Sequence, residues 1–115
     1  MAEPTVDLAI FAELQQAAGA DFVAELVGTF IEEAPQMLAD LLAARSAGQV
    51  ERFRRAAHSL KSNGATFGAL NLAAQARALE LDGFSADAAS DLQAIARLRA
   101  AYESAAAALQ ELARG

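Results

Sequence analysis

Apolar residues recur three or four positions apart through most of the chain, which is the spacing of one face of an α-helix. The clearest run is an apolar stripe that begins after Asp21 and continues to Gly48. Shorter runs of the same kind precede and follow it, separated by glycine, serine and aspartate. The pattern predicts five helices, from about Leu8 to Ala17, Asp21 to Gly48, Val50 to Phe67, Ala69 to Leu81 and Asp87 to Ala113.

Local signals refine the first two predicted helices. Asp7 is placed to cap the first helix and Gly19 to end it. Pro35 lies inside the long stripe, where it removes one backbone hydrogen bond and its ring clashes with the carbonyl of Ile31. Because the stripe keeps its phase across Pro35, we expect a kink at this position rather than a break.

The final helix carries two apolar seams with a seven-residue repeat, which is typical of a helix packed nearly antiparallel in a bundle. The seams consist of Ile95, Tyr102 and Leu109, and of Leu98, Ala105 and Leu112. Because the connections are short, successive helices should be antiparallel neighbours. The sequence therefore predicts an all-α fold. We expect an antiparallel four-helix bundle with a short additional N-terminal helix as a lid, in a single domain over residues 1–115.

Composition supports a helical domain. Alanine supplies 32 of the 115 residues, whereas Val, Ile and Thr together supply ten, so there is little material for a sheet. The absence of cysteine excludes a disulfide framework and fits a reducing compartment. The first residues lack the basic start of a signal peptide, and no apolar run reaches membrane-spanning length. We therefore expect a cytoplasmic protein without a membrane segment.

Charge is unevenly distributed along the chain. The net charge of −6 argues against nucleic-acid binding, which needs a broad basic surface. Residues 1–51 hold nine acids and one base, whereas residues 52–79 hold five bases and no acid. The third predicted helix therefore begins a locally basic stretch.

His58 is the only histidine, and the periodicity of the third helix places it on the outward face. At about 100° per residue, His58 lies about 140° from the direction shared by the core-facing positions. Those positions are Phe53, Ala57, Leu60, Gly64 and Phe67. Arg54 and Lys61 flank His58 one turn away, inside the stretch of residues 52–79 that holds no acid. An anionic group on the ring would therefore be stabilised electrostatically.

An exposed histidine is often only a surface residue, but this one suits phosphoryl transfer. A neutral imidazole carries a nucleophilic nitrogen, and a phosphoramidate gives its phosphoryl group up readily. Ser62 and Ala65 are small and leave room for a bulky group. Gly64 and Gly68 disfavour a helix, which indicates a need for packing, access or termination. Glu80, on the following helix, is the best-placed acceptor for one ring N–H, which would fix the tautomer.

Three stretches of the chain carry a resemblance to one family. Residues 57–70 read AHSLKSNGATFGAL, in which histidine, leucine and lysine are followed by small residues and by Phe-Gly-Ala. An acidic, leucine-rich stretch, FIEEAPQMLADLL, precedes this segment, and ARALE follows it. Together they resemble the histidine phosphotransfer (HPt) domains of multistep two-component phosphorelays, over nearly the whole chain.

The resemblance implies a carrier function centred on His58. This residue would accept a phosphoryl group from a receiver-domain aspartate or a sensor kinase, and pass it to a response-regulator aspartate. Lys61 would lie beside the phosphoryl group, while Gly64 and Ala65 would keep its approach clear. Glu80 would correspond to the Gln or Glu that often hydrogen-bonds the imidazole in this family.

Two positions depart from the family pattern, which often has glycine where this chain has Ser62 and a smaller residue at Asn63. Ser62 is still counted among the residues that support the site, and Asn63 would alter partner choice.

The resemblance also implies that such a domain is a stoichiometric carrier and not an enzyme. It needs no cofactor or metal of its own, because its partners supply the magnesium and the acidic pocket.

The basic stretch would serve as a docking feature for acidic receiver surfaces, with Arg54 and Arg55 as candidates. Phe11, with Ile10 and Leu14, would add an apolar docking edge, unless the first helix buries them as a lid on the core. The partners would be receiver domains of response regulators or hybrid sensor kinases, without nucleic acid or membrane. The carrier itself is expected to be a monomer.

Other chemistries lack the necessary residues. One histidine without cysteine leaves only carboxylates for a metal, and Arg55 stands where di-iron bundles have a glutamate. Ser62 beside His58 has no orienting acid for a hydrolase triad, and GATFG lacks the lysine of a phosphate-binding loop. The alternative that remains is a helical interaction module that binds an acidic partner through its basic third helix without being phosphorylated.

Overall fold

Five α-helices form the protein in the computed structural model, which describes residues 5–114. They are α1 (Leu8–Ala18), α2 (Ala20–Ala47), α3 (Val50–Phe67), α4 (Leu70–Asp82) and α5 (Ala88–Arg114). The predicted all-α fold is confirmed, and each helix ends within one residue of its expected position. None of the helices in the described range is long and apolar enough to cross a membrane. The predicted domain also includes residues 1–4 and 115, which lie outside the described residues.

Helices α2 to α5 form a ring in which each helix packs antiparallel to its neighbours. Short loops join consecutive helices, and α5 closes the ring by packing against α2. Along α2, Ile31 contacts Tyr102 of α5, whereas Arg45, further on, contacts Asp91 near the start of α5. The two helices therefore run in opposite directions. This arrangement is the predicted four-helix bundle.

Apolar stripes from all four helices of the ring fill the core. Its largest fully buried side chains are Phe53, Leu41, Leu60, Leu72, Leu98, Leu109 and Val23. At one level of the bundle, Phe30 packs against Phe67 with ring centroids 5.6 Å apart, and edge-on against Tyr102 at 5.5 Å. Such aromatic pairs add to the stabilisation from buried area. They join α2, α3 and α5.

Helix α1 lies outside the ring, against α2 and α3. Asp7 caps its start by accepting hydrogen bonds from the N–H groups of Ala9 and Ile10. The N–H of Asp7 also donates to the carbonyl of Gly68 at 2.7 Å. Phe11 is only 3% exposed and belongs to the core. The predicted docking role of Phe11 is therefore wrong, because a buried ring offers nothing to a partner. The structure instead shows the alternative, in which α1 covers the core as a lid and buries Phe11 beneath it.

Helix α2 continues as one α-helix through Pro35, so the expected absence of a break is confirmed, and the kink stays a prediction. Proline has no N–H, which leaves the carbonyl of Ile31 without its helical donor. The hydroxyl of Tyr102 in α5 donates to that carbonyl at 3.2 Å. Burial raises the pKa of the Tyr102 hydroxyl, which keeps it protonated. A side chain of a neighbouring helix thus replaces the hydrogen bond that proline removes.

A buried carboxylate pins the loop between α4 and α5 to α2. Asp91 is 7% exposed; it pairs with Arg45 and accepts hydrogen bonds from the N–H and hydroxyl of Ser85. The guanidinium of Arg45 also lies over the ring of Phe84, 4.9 Å from its centroid. Burial alone would raise the pKa of Asp91, but the hydrogen bonds from Arg45 and Ser85 outweigh it and lower this pKa. The loop after α4 and the start of α5 are therefore held to α2 by a charged pair.

The replacement of the missing helical donor by Tyr102 is testable in a double-mutant cycle. Tyr102→Phe should lower the free energy of unfolding by about 1 kcal/mol, because it leaves the Ile31 carbonyl unpaired. In a Pro35→Ala background the same change should cost much less, since the substituted alanine again supplies a backbone N–H. Denaturant unfolding followed by circular dichroism measures both costs. Equal costs in the two backgrounds would show that the hydroxyl does not compensate for the proline.

Candidate functional site

Helix α3 presents His58 on the surface of the bundle. All five positions predicted to face the core are buried, namely Phe53, Ala57, Leu60, Gly64 and Phe67. The side chain of His58 is 56% exposed. The predicted outward orientation is confirmed, and the imidazole stands open to solvent on a rigid helix.

Glu80 of α4 reaches across to α3 and contacts two of its side chains. One carboxylate oxygen, Oε2, lies 2.6 Å from Nδ1 of His58. The other, Oε1, lies 2.6 Å from Nζ of Lys61, one helical turn further along α3. The predicted proximity of Glu80 to the imidazole is confirmed. The same carboxylate also holds Lys61, which the sequence did not indicate.

The charge of Glu80 determines which ring nitrogen carries the proton. The hydrogen bond from Lys61 lowers the pKa of Glu80 below its usual range; desolvation opposes this shift, and the single hydrogen bond and the charge interaction with His58 add to it. Glu80 is therefore ionised at neutral pH and can only accept hydrogen bonds. In the neutral ring, Nδ1 must then be the N–H donor, and Nε2 carries the free lone pair. Among residues 5–114, no hydrogen-bond partner of Nε2 is found.

A shallow groove runs beside the imidazole between α3 and the end of α4. Its lining consists of Glu51, Arg54, Arg55, His58, Ser59, Lys61, Glu80 and Leu81. Both flanking cations have an acidic neighbour. Arg54 lies 3.8 Å from Glu51, which is three residues before it on α3, and Lys61 pairs with Glu80 of α4. Arg55 forms no ion pair with the residues that the structure describes.

The small residues around His58 divide into two groups. Ser62 and Ala65 are exposed one and two turns beyond His58 on the same face of α3, where they leave space open. Gly64 is buried, and a Cβ built on it would lie 3.3 Å from backbone atoms of Ala69 and Ala73. The expectation that Gly64 clears the approach to His58 is therefore wrong. Its missing side chain serves the close packing of α3 on α4.

Two observations complete the site. Leu81 is 60% exposed and lines the groove, although the sequence pattern marks it only as the end of the fourth helix. The sequence signal that could have indicated this exposure is an apolar residue directly after Glu80, outside the buried stripe of α4.

Within residues 5–114, no cluster of three or more His, Asp or Glu side chains could hold a metal ion.

Comparison with known proteins adds one finding. The family model of the Hpt domain matches residues 25–114, which include all of α3, α4 and α5 and most of α2. His58, Lys61 and Glu80 all lie inside the matched segment, and α1 lies outside it. No curated protein and no solved structure matches the chain significantly.

The packing role of Gly64 predicts opposite effects at two helical glycines. Gly64→Ala should lower the free energy of unfolding by about 1 kcal/mol, because the added methyl presses on the backbone of α4. Gly28→Ala is the matched control, since nothing lies within 4 Å of a Cβ at Gly28. This change should stabilise the protein by roughly 0.5–1 kcal/mol through helix propensity. Denaturant titration gives both values. Stabilisation by both substitutions would contradict the packing role.

Proposed function

The chain belongs to the Hpt domain family, and we propose that it carries a phosphoryl group on Nε2 of His58 between aspartates of receiver domains. Hpt domains take part in histidine phosphotransfer in phosphorelays and interact with the receiver domains of two-component systems. The observation that carries the proposal is the exposed imidazole whose Nδ1 is engaged by Glu80 at 2.6 Å. That contact leaves Nε2 as the nucleophilic atom.

The loading step follows from this tautomer. The lone pair of Nε2 attacks the phosphorus of an aspartyl phosphate, an N–P bond forms, and the P–O bond breaks so that aspartate leaves as a carboxylate. The ring keeps its proton on Nδ1 and becomes positively charged. The carboxylate of Glu80 offsets this charge. In the return step the N–P electron pair goes back to Nε2, and no proton has to move in either direction.

Lys61 supports the phosphoryl group in this proposal. Its ammonium group has three donors, so that it can keep its bond to Glu80 and still donate to a phosphoryl oxygen. Ser62 and Ala65 lie on the same face and leave room for the group and for the partner's backbone. Arg54 adds positive charge at the other side of His58.

The domain therefore contributes a positioned nucleophile and acts as a stoichiometric carrier, not as an independent enzyme. The donor and acceptor are receiver domains of response regulators or hybrid sensor kinases. We propose that the carrier works as a cytoplasmic monomer and needs no cofactor of its own. Arg54 and Arg55 line the groove beside His58 and offer positive charge to an acidic partner.

Phosphorylation of His58 can be tested without a known partner. Incubation with phosphoramidate, which phosphorylates histidine directly, should give an acid-labile, base-stable product that is absent in His58→Gln. The assignment is unambiguous because the chain has one histidine. The loaded protein should then pass its phosphoryl group to a receiver domain. Label that survives in His58→Gln, or loaded protein that no receiver discharges, would favour the alternative of a non-phosphorylated interaction module.

Lys61→Ala should slow transfer between His58 and a receiver by roughly tenfold to a hundredfold, the effect expected for loss of a charge-assisted hydrogen bond. The helical circular-dichroism signal should stay intact, because Lys61 lies on the surface and only Glu80 depends on it. Arg99→Ala, at an exposed position of α5, serves as the control and should transfer normally. Substantial unfolding of Lys61→Ala would instead assign Lys61 a structural role.

A further inference from the structure

A separate groove lies between α2 and α5, on the side of the bundle opposite His58. In the ring of four helices, the pair α2 and α5 faces the pair α3 and α4, and the contact of His58 with Glu80 belongs to the second pair. The groove shares no lining residue with the two grooves beside His58. We call it the α2–α5 groove; its small and apolar lining consists of Ala24, Val27, Gly28, Ile31 and Ala113.

Gly28 leaves a notch in the middle of the α2–α5 groove. Outside its own turn of helix, no atom of residues 5–114 lies within 4 Å of a Cβ built on Gly28. The missing side chain is therefore not needed for packing within the bundle, in contrast to Gly64. Because glycine in a helix interior lowers stability, this open space points to a requirement at the surface.

The shape of the α2–α5 groove fits a helix. Two antiparallel helices form its walls, and the lining positions Ala24, Gly28 and Glu32 form one row along α2, about 12 Å long. Rows of side chains four residues apart are the ridges and grooves through which helices pack on one another. A row that is interrupted by glycine lets the ridge of another helix approach closely.

The charges around the α2–α5 groove favour a basic partner. Residues 20–44 of α2 contain five acids and no base. Two charged residues line the groove: Arg114 is bonded to Glu111 at 3.2 Å, whereas Glu32 is exposed and forms no ion pair with residues 5–114. Arg99, the next cation of α5, lies outside the lining, about four turns before Arg114. A cation that approaches Glu32 therefore meets a carboxylate that is not yet neutralised.

We propose that the α2–α5 groove is a docking surface for an amphipathic helix of a partner, with small apolar side chains on one face and lysine or arginine beside them. The apolar face fills the notch at Gly28, and one basic side chain pairs with Glu32. Because the groove lies opposite His58, such a helix leaves the imidazole accessible. The contact is therefore suited to anchoring the domain while its histidine reacts elsewhere.

Two synthetic helical peptides of about 18 residues, long enough to form a helix in water, serve as probes. Both carry alanine and leucine on one face; one has lysines beside this face and the other has glutamates. Amide chemical shifts of the isotope-labelled full chain give each dissociation constant and show which residues respond. The lysine peptide should bind at least tenfold more tightly at low ionic strength, with shifts at Ala24, Gly28 and Ala113, and added salt should reduce the difference.

Matched variants at neighbouring positions locate the binding. Gly28→Leu should weaken binding of the lysine peptide by about tenfold or more, because leucine fills the notch, whereas Thr29→Leu at the next exposed position should not. Glu32→Lys should remove the preference for the lysine peptide, whereas Glu33→Lys, at an exposed position outside the lining, should keep it. Circular dichroism checks that all four variants are folded.

Three outcomes would overturn the docking proposal. They are no binding of either peptide, equal binding of both, and equal binding of the lysine peptide to wild type and to Gly28→Leu. Self-association of the chain that Gly28→Leu abolishes would assign the groove to a second copy instead. The proposed function is tested independently, because the peptides bind without phosphorylation and Gly28→Leu should still be loaded on His58 by phosphoramidate.

Discussion

The close approach of α3 and α4 is the constraint on which the site depends. At Gly64 the two helices pack closely, since a Cβ on this residue would lie only 3.3 Å from backbone atoms of Ala69 and Ala73. This spacing allows the carboxylate of Glu80 to reach His58 and Lys61 at once. The loop that follows α4 is held in turn to α2, where Arg45 donates to the carbonyl of Ser85 and pairs with Asp91. The imidazole is therefore oriented by rigid elements, which is how a precise site is maintained.

One carboxylate sets the electrostatics of the resting site. Glu80 neutralises Lys61 through one carboxylate oxygen and engages Nδ1 of His58 through the other, so the charge of the lysine is balanced within the site. Of the other cations that line the groove, Arg55 forms no ion pair with a residue in the range 5–114. In the proposed function, the positive charge that it offers to an acidic partner is therefore separate from the charges that orient the imidazole.

Most of the fold could be predicted because helix periodicity, capping and short loops are local signals. The exposure of His58 and the proximity of Glu80 followed from the helical wheel and from the order of the helices. The predictions that failed concern residues whose environment is set by contacts between distant segments of the chain. Periodicity places Phe11 on the apolar face of α1, but it does not say whether this face packs on the core or stays exposed. The sequence alone also allows Gly64 to serve either access to His58 or the packing of two helices. The partnership of Tyr102 with the Ile31 carbonyl joins positions 71 residues apart, beyond the reach of any local pattern.

The attachment of α1 has a consequence for how this helix can vary. Its start is tied to the end of α3 by a bond between the backbone N–H of Asp7 and the carbonyl of Gly68, where any side chain would collide with Asp7 and Ile10. A tether between main-chain atoms is indifferent to side-chain identity. Substitutions on the solvent side of α1 should therefore accumulate freely during evolution, whereas the glycine that receives it cannot be exchanged without dislodging the helix.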